Sequence, residues 1–141
     1  YGQKNGKGFY QYEDGSRTPK EDADANELIR RVAAELGFEK KEFSNDEILK
    51  RCLYPLINTG AKLLSEGHAL RAGDIDTVYV NGYGFPKYTG GPMWFADTQG
   101  LENVLNDIER FYKETGDDLW RPAELLKTLA RDGRTFASLD T

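Results

Sequence analysis

The sequence predicts an all-α fold: a small helical domain of four main helices plus short ones, behind an irregular N-terminal segment rich in glycine and aromatics. Three observations predict it. Apolar residues recur at spacings of three and four through most of the chain. Helix start and stop residues bracket those stretches. Alternating apolar–polar runs of strand type are nearly missing. The 141 residues suit one domain with an appendage. They are enough to bury a core without disulfide or metal staples.

The first nineteen residues hold Gly2, Gly6, Gly8 and Gly15 beside Tyr1, Phe9, Tyr10 and Tyr12. Their apolar positions show no helical period, so the segment reads as irregular and partly extended, with a turn at Asp14-Gly15. From Glu21 to Leu36 the pattern turns helical. Ala25, Leu28, Ile29, Val32, Ala33 and Leu36 form one stripe, which is expected to be buried. Acidic residues gather at its start, where the helix dipole favours them, and Gly37 suits its end.

The second helix starts at a capping box, Ser44-Asn45-Asp46-Glu47. A wide apolar face follows through Ile48, Leu49, Cys52, Leu53, Leu56, Ile57, Gly60, Ala61 and Leu64, which predicts a central helix. Pro55 removes one backbone hydrogen bond and favours a kink. Gly60-Ala61 offers close approach to another helix, and Gly67 ends the element. The run Thr77–Val80 suits a strand by propensity, while the preceding Asp-x-Asp suits a short helix equally. Asn81 to Pro92 must be a loop, with four glycines, two prolines and three aromatics in twelve residues. Pro92 fits the first turn of a short helix through Ala96. Asp97 or Thr98 is placed to cap the next helix, from about Leu101 to Tyr112. Its stripe is Leu101, Val104, Leu105, Ile108, Phe111 and Tyr112, and Gly116 ends it. A last helix is expected from Pro122, with Leu125, Leu126, Leu129 and Ala130 inward and Gly133 closing it. Phe136 is expected to fold back onto the bundle.

Composition excludes several function classes. With 19 Lys+Arg against 24 Asp+Glu the net charge is −5, and no basic stripe marks a nucleic-acid partner. No apolar run approaches the ~20 residues of a membrane span. The single cysteine, Cys52, excludes an internal disulfide and a Cys-rich zinc site. A reducing, cytoplasmic setting is the simplest reading. The first residue is Tyr1 rather than methionine, which suggests a piece of a longer polypeptide.

Reactive chemistry is sparse. The phosphate-cradling loop needs Gly-x4-Gly-Lys-Ser/Thr; Gly6-Lys7 lies one residue too near Gly2, and Gly8 stands in place of Ser/Thr. The dinucleotide fingerprint fails at Gly82-x-Gly84, which leads to Lys87, and at Gly6-x-Gly8, which leads to Gln11. His68 is the sole histidine and reads as a helix-terminal residue rather than a general base. Cys52, on the apolar face, reads as a small core residue. Asp74 and Asp76 read as a helix cap and an ion pair to Arg71 rather than a metal site. Lys4, Lys7, Phe9, Tyr10 and Tyr12 could together hold an anion or a stacked ring. The loop at 82–92 is better suited to recognition, although packing is the commoner role of Tyr83, Phe85 and Tyr88.

The residues also carry a resemblance. Ile48–Gly67 (ILKRCLYPLINTGAKLLSEG), Leu70–Asp76, Gly82-Tyr83-Gly84-Phe85-Pro86, Gly90-Gly91-Pro92-Met93 and Ala96-Asp97 together resemble the C-terminal helical domain of 3-hydroxyacyl-CoA dehydrogenases. The nearer likeness is to the last helical repeat of multifunctional fatty-acid β-oxidation enzymes. Gly6-Lys7-Gly8-Phe9-Tyr10-x-Tyr12 resembles the end of a preceding repeat. Trp120-Arg121-Pro122 and Gly133-Arg134-Thr135-Phe136 resemble the family's final helix and tail.

The resemblance implies residues 1–19 as the tail of a preceding repeat, 20–43 as a linker helix and 44–141 as the domain itself. It implies a parent that oxidises (3S)-3-hydroxyacyl-CoA to 3-oxoacyl-CoA with NAD, whose catalytic His–Glu pair does not map onto this chain. No catalytic, cofactor-binding or metal-binding residue is therefore carried over, and NAD belongs to the parent. The implied partners are the preceding repeat, the nucleotide-binding domain and, in the parent, acyl-CoA; a homo-oligomer of the chain alone is a further expectation. The implied interface or acyl-CoA-facing loop is Tyr83, Gly84, Phe85, Pro86, Gly90, Gly91, Pro92, Met93 and Trp94. A peroxisomal parent is compatible with this, although Leu139-Asp140-Thr141 is no peroxisomal address. The competing expectation is a free-standing helical module that binds acyl-CoA or a protein.

Overall fold

The computed structural model describes residues 2–39 and 41–140. Tyr1, among the aromatics of the opening segment, and Thr141, in the terminal tripeptide, lie outside them. The chain forms two compact units, Tyr1–Glu42 and Phe43–Thr141. Six helices and one two-stranded ribbon are present among the described residues.

In the first unit, strands β1 (Tyr10–Gln11) and β2 (Lys20–Glu21) pair antiparallel, Tyr10 opposite Glu21 and Gln11 opposite Lys20. The Asp14-Gly15 turn between them is present: the Ser16 amide donates to the Glu13 carbonyl at 2.9 Å, with Gly15 at φ +76°. Helix α1 (Ala23–Glu35) is capped by Asp22, whose carboxylate accepts from the amides of Asp24 and Ala25. Asp22 is buried and also faces the Lys7 ammonium at 3.3 Å. The expected burial of the α1 stripe is not what the structure shows. None of its residues is buried, and Leu28, Ile29, Val32 and Leu36 are exposed. Helical periodicity reports an amphipathic face; it does not say which other element covers that face.

The second unit is built around helix α2 (Asn45–Ser65). Around it stand α3 (Ala72–Gly82), α4 (Pro92–Gln99), α5 (Leu101–Thr115) and α6 (Glu124–Arg131). α2 touches all four, α3 packs on α4, and α5 packs on α6. Thr77–Val80 is thus helical, which settles the reading left open above. Ser44 caps α2 through the Glu47 amide at 3.1 Å. The Glu47 carboxylate accepts from Arg51.

The buried face of α2 is rotated from the expected one. Ile57, Gly60 and Ala61 are buried as expected, joined by Tyr54 and Asn58, while Ile48 and Leu49 are exposed. Cys52 is exposed as well, not a core residue. Gly60 is where α4 comes close: a Cβ there would lie 2.5 Å from Met93 Sδ. Asn58 is fully buried, and its amide joins α2 to the segment before α6. Its Nδ2 donates to the carbonyls of Arg121 at 2.9 Å and Leu119 at 3.3 Å. Its Oδ1 accepts from the Ala123 amide at 2.8 Å. α6 begins at Glu124, after Pro122 and an Ala123 N-cap, two residues later than expected. α5 is entered through Gly100 at φ +80° rather than through an Asp97 or Thr98 cap. Phe136 does fold back and is fully buried.

An ion network joins α2 to α5. Arg51 Nη2 lies 2.6 Å from Glu114 and 2.8 Å from Glu47, and the Arg51 guanidinium covers the Phe111 ring at 4.2 Å. Lys50 bridges Asp46 and Asp107. The Arg51 hydrogen bond holds the Glu114 carboxyl below its ordinary value near 4.5; burial opposes this and Arg110 adds to the lowering. A carboxyl with a lowered native pKa stabilises the fold above its unfolded value, and the stabilisation disappears as pH falls through the native one. The melting temperature should therefore fall from pH 5 to pH 3, and Glu114→Gln should flatten that slope. Equal slopes in a pH series of thermal melts would contradict the assignment.

Candidate functional site

The nine residues singled out in the sequence span the loop that follows α3 and the first turn of α4, and the structure divides them. α3 ends at Gly82 and the Tyr83 amide donates to the Tyr79 carbonyl. Gly84, at φ +70°, turns the chain back. The Phe85 amide then donates to the same Tyr79 carbonyl at 3.1 Å. The Phe85 ring meets Tyr79 edge-on at 6.3 Å between centroids and is buried. Pro86 opens a short turn over Lys87–Thr89, closed by the Thr89 hydroxyl on the Pro86 carbonyl.

Gly90 and Gly91 follow at φ +77° and +110°. At Gly90 a Cβ would strike the Trp94 ring, and at Gly91 it would strike the Asp76 side chain. Glycine is needed at both for space as well as for backbone conformation. Pro92 takes the first position of α4, and Pro92 and Met93 are buried. Phe85, Pro92 and Met93 therefore belong to the packing. Tyr83, Tyr88 and Trp94 are exposed, at 76%, 91% and 56%, and Gly84, Pro86 and Gly90 are exposed beside them.

Asp76 holds this arrangement. Its Oδ1 accepts from the Met93 amide at 2.7 Å and its Oδ2 from the Trp94 amide at 3.1 Å. The carboxylate thus satisfies two of the unpaired amides at the start of α4. Burial pushes the Asp76 carboxyl above its ordinary value; the two amides oppose this, and the negative charges of Asp97 and Asp140 add to the rise. Asp74 pairs with Arg71 at 2.8 Å. The reading of this pair as cap and ion pair is what the structure contains.

A shallow depression of about 330 Å³ lies beside α4, lined by Thr77, Val80, Asn81, Lys87 and Trp94 among others. It has one cation, Lys87, and no histidine or cysteine. Both Asp76 oxygens at its floor are taken by backbone amides. Nothing there forms a nucleophile–base pair.

His68 is exposed beyond the end of α2, with Glu66 at 3.5 Å. Its amide closes the helix on the Leu63 carbonyl at 2.9 Å. In the N-terminal unit, Lys7 is held by Asp24 at 2.8 Å as well as by Asp22, so the anion-holding reading of Lys4, Lys7, Phe9, Tyr10 and Tyr12 loses that charge. Phe9, Tyr10, Tyr12, Leu28 and Ile29 instead line an apolar hollow of about 570 Å³. Among the described residues no three His, Cys, Asp or Glu side chains gather as metal ligands, and no helix is long and apolar enough to cross a membrane.

Neither glycine pair weighed in the sequence is placed as a dinucleotide fingerprint. Gly82-x-Gly84 ends a helix, and Gly6-x-Gly8 leads into strand β1; neither aims a helix N-terminus at a pyrophosphate.

A helical unit around α2 and a glycine-rich loop pinned by an aspartate define a small helical domain. The chain belongs to the 3-hydroxyacyl-CoA dehydrogenase, C-terminal domain family, which it matches over residues 48–137. Among curated relatives it is 42% identical over 135 residues to the peroxisomal bifunctional enzyme of Homo sapiens, covering 94% of this chain and 19% of the relative. It is 36% identical over 135 residues to that of Danio rerio, with the same coverage of 94% and 19%. The chain thus spans about a fifth of the length of these relatives. A crystal structure of the dehydrogenase part of multifunctional enzyme 1 from C. elegans is similar at TM-score 0.64 and 32% identity, covering 91% of this chain and 29% of that one.

Proposed function

We propose that this chain is the terminal, non-catalytic helical domain of a multifunctional 3-hydroxyacyl-CoA dehydrogenase. It supports interdomain packing, or a dimer-like pairing of two helical repeats, and borders the acyl-CoA cleft. Residues 1–19 end the preceding repeat, 20–43 are the linker and 44–141 are the repeat itself. The parent oxidises (3S)-3-hydroxyacyl-CoA to 3-oxoacyl-CoA in fatty-acid β-oxidation, with NAD held by a nucleotide-binding domain elsewhere in that chain. The named relatives favour a peroxisomal parent over the cytoplasmic one that the single cysteine suggests.

The observation that carries this reading is the family match over 48–137. Exposed apolar side chains agree with it: Leu28, Ile29 and Val32 on α1, Ile48 and Leu49 on α2, and Tyr83, Tyr88 and Trp94 at the loop. Soluble monomers rarely leave large apolar patches uncovered; here the preceding repeat or the cleft would cover them.

The purified chain should form no NADH from a 3-hydroxyacyl-CoA, and measurable turnover would overturn the assignment. The exposed Tyr83, Tyr88 and Trp94 also suit the rival, a free-standing acyl-CoA-binding module. Calorimetry separates the two. Micromolar acyl-CoA binding by the chain alone, lost in Tyr83→Ala, would favour the rival.

A further inference from the structure

Three aspartates in the second unit cap one another's elements in a closed ring. Asp76, on α3, takes the amides of Met93 and Trp94 at the start of α4, at 2.7 and 3.1 Å. Asp97, on α4, takes the amides of Phe136 and Ala137 at the start of the C-terminal strap, at 2.8 and 3.0 Å. Asp140, at the end of that strap, takes the amides of Ala72 and Gly73 at the start of α3, at 2.9 and 3.3 Å. The order runs from α3 to α4, to the strap, and back to α3. Each carboxylate uses both oxygens, and each element gives one carboxylate and receives another.

Two features make the ring more than three separate caps. Phe136, whose amide Asp97 holds, is fully buried, so the strap is seated in the core as well as tied at both ends. The links are also short: α3 and α4 pack directly on each other, and each contacts the strap's short turn at Ala137–Leu139. A shift at one link therefore has to be absorbed by the neighbouring elements rather than by slack chain. Cooperative opening in contiguous units is how local stability is commonly organised.

We propose that Asp76, Asp97 and Asp140 act as one conformational latch, through which the strap 135–140 governs the loop Gly90–Trp94. Asp140 is then a positioning residue for Trp94, although its carboxylate accepts from amides of α3. Its path runs through Ala72 and Gly73 to Asp76. The surface depression beside α4 is shaped by the same latch, since Gly73, Asp76, Gly90 and Trp94 all line it. The latch is a property of the fold and does not depend on the activity of the parent.

Amide hydrogen exchange by NMR on the 141-residue chain tests it. In the wild-type chain the six amides of residues 72, 73, 93, 94, 136 and 137 should open with one common protection factor. Three distinct values, one for each cap, would overturn the proposal without any variant. Asp140→Asn should then speed exchange at Met93 and Trp94 by roughly tenfold or more, which is ~1.4 kcal/mol of lost protection. Leu125→Ala, in α6 and outside the ring, serves as the control for general destabilisation and should not single out those amides. Faster exchange confined to Ala72 and Gly73 in Asp140→Asn would show three independent caps and overturn the latch.

Discussion

Gly91→Val should lower the stability of the Phe43–Thr141 unit by about 2–5 kcal/mol. Two costs add. The residue sits at φ +110°, a conformation that costs an L-residue ~1–3 kcal/mol where it is imposed. A Cβ there would also collide with Cβ, Cγ and Oδ1 of Asp76. Asp76 cannot yield without leaving the Met93 and Trp94 amides, and losing a cap of this kind costs about 1–2 kcal/mol. At ~4 °C or more for each kcal/mol, the melting temperature should drop by roughly 8 °C or more. Gly84→Ala is the comparison. Gly84 has φ +70° but nothing within 4 Å of its Cβ position, so it should lose only about 1–2 kcal/mol. Similar melting temperatures for the two variants, by circular dichroism, would mean that the close approach of Asp76 to Gly91 carries no energy.

Asn58→Leu should be the second large loss, at about 3–5 kcal/mol. Leucine has the same branched set of side-chain heavy atoms as asparagine and is bulkier, so no cavity opens and the loss comes from the missing hydrogen bonds, with crowding added. The substitution strands the Ala123 amide and removes the donor to the Arg121 and Leu119 carbonyls. A buried polar group left unpaired costs about 1–3 kcal/mol. The Leu119 contact, the longest at 3.3 Å, should contribute least. Because these bonds tie α2 to the entry of α6, urea denaturation should show a lower midpoint at an unchanged m-value. A change below ~1 kcal/mol would mean that water replaces the side chain and the segment is looser than its burial implies.

The helical architecture was legible because period, caps and stops agreed along most of the chain. Ser44, Pro92, Gly37, Gly67 and Gly116 each stand at the helix end that their chemistry suggests. α3 was not decidable from Thr77–Val80 alone, since tertiary packing against α4 overrides strand propensity. The faces were harder than the elements. Apolar spacing placed Cys52, Ile48 and Leu49 inside with Ile57, while the structure buries Ile57 together with Tyr54 and Asn58. A wide apolar stripe allows more than one rotation, and the stripe on α1 is left exposed. Asn58, flanked by Ile57, Gly60 and Ala61, offered a signal that was missed: a lone amide on an apolar face needs backbone partners.

At the candidate site, the reading of Asp74 and Asp76 as ion pair and cap agreed with the geometry. The partners of Asp97 and Asp140 did not show in the sequence, because their amides lie 39 and 68 residues away. Long-range capping leaves no local pattern. Nor does sequence spacing separate the exposed aromatics Tyr83, Tyr88 and Trp94 from the buried Phe85, since all four sit in one glycine-rich stretch.

The central claim is that this chain works as part of a larger dehydrogenase. An antibody raised against it, used on lysate of the source cells, tests this most directly when the immunoprecipitate is assayed for 3-hydroxyacyl-CoA oxidation with NAD. The account predicts a band several times larger than 15.9 kDa that carries the activity. A band at 15.9 kDa without activity would contradict it and mark a free-standing helical protein.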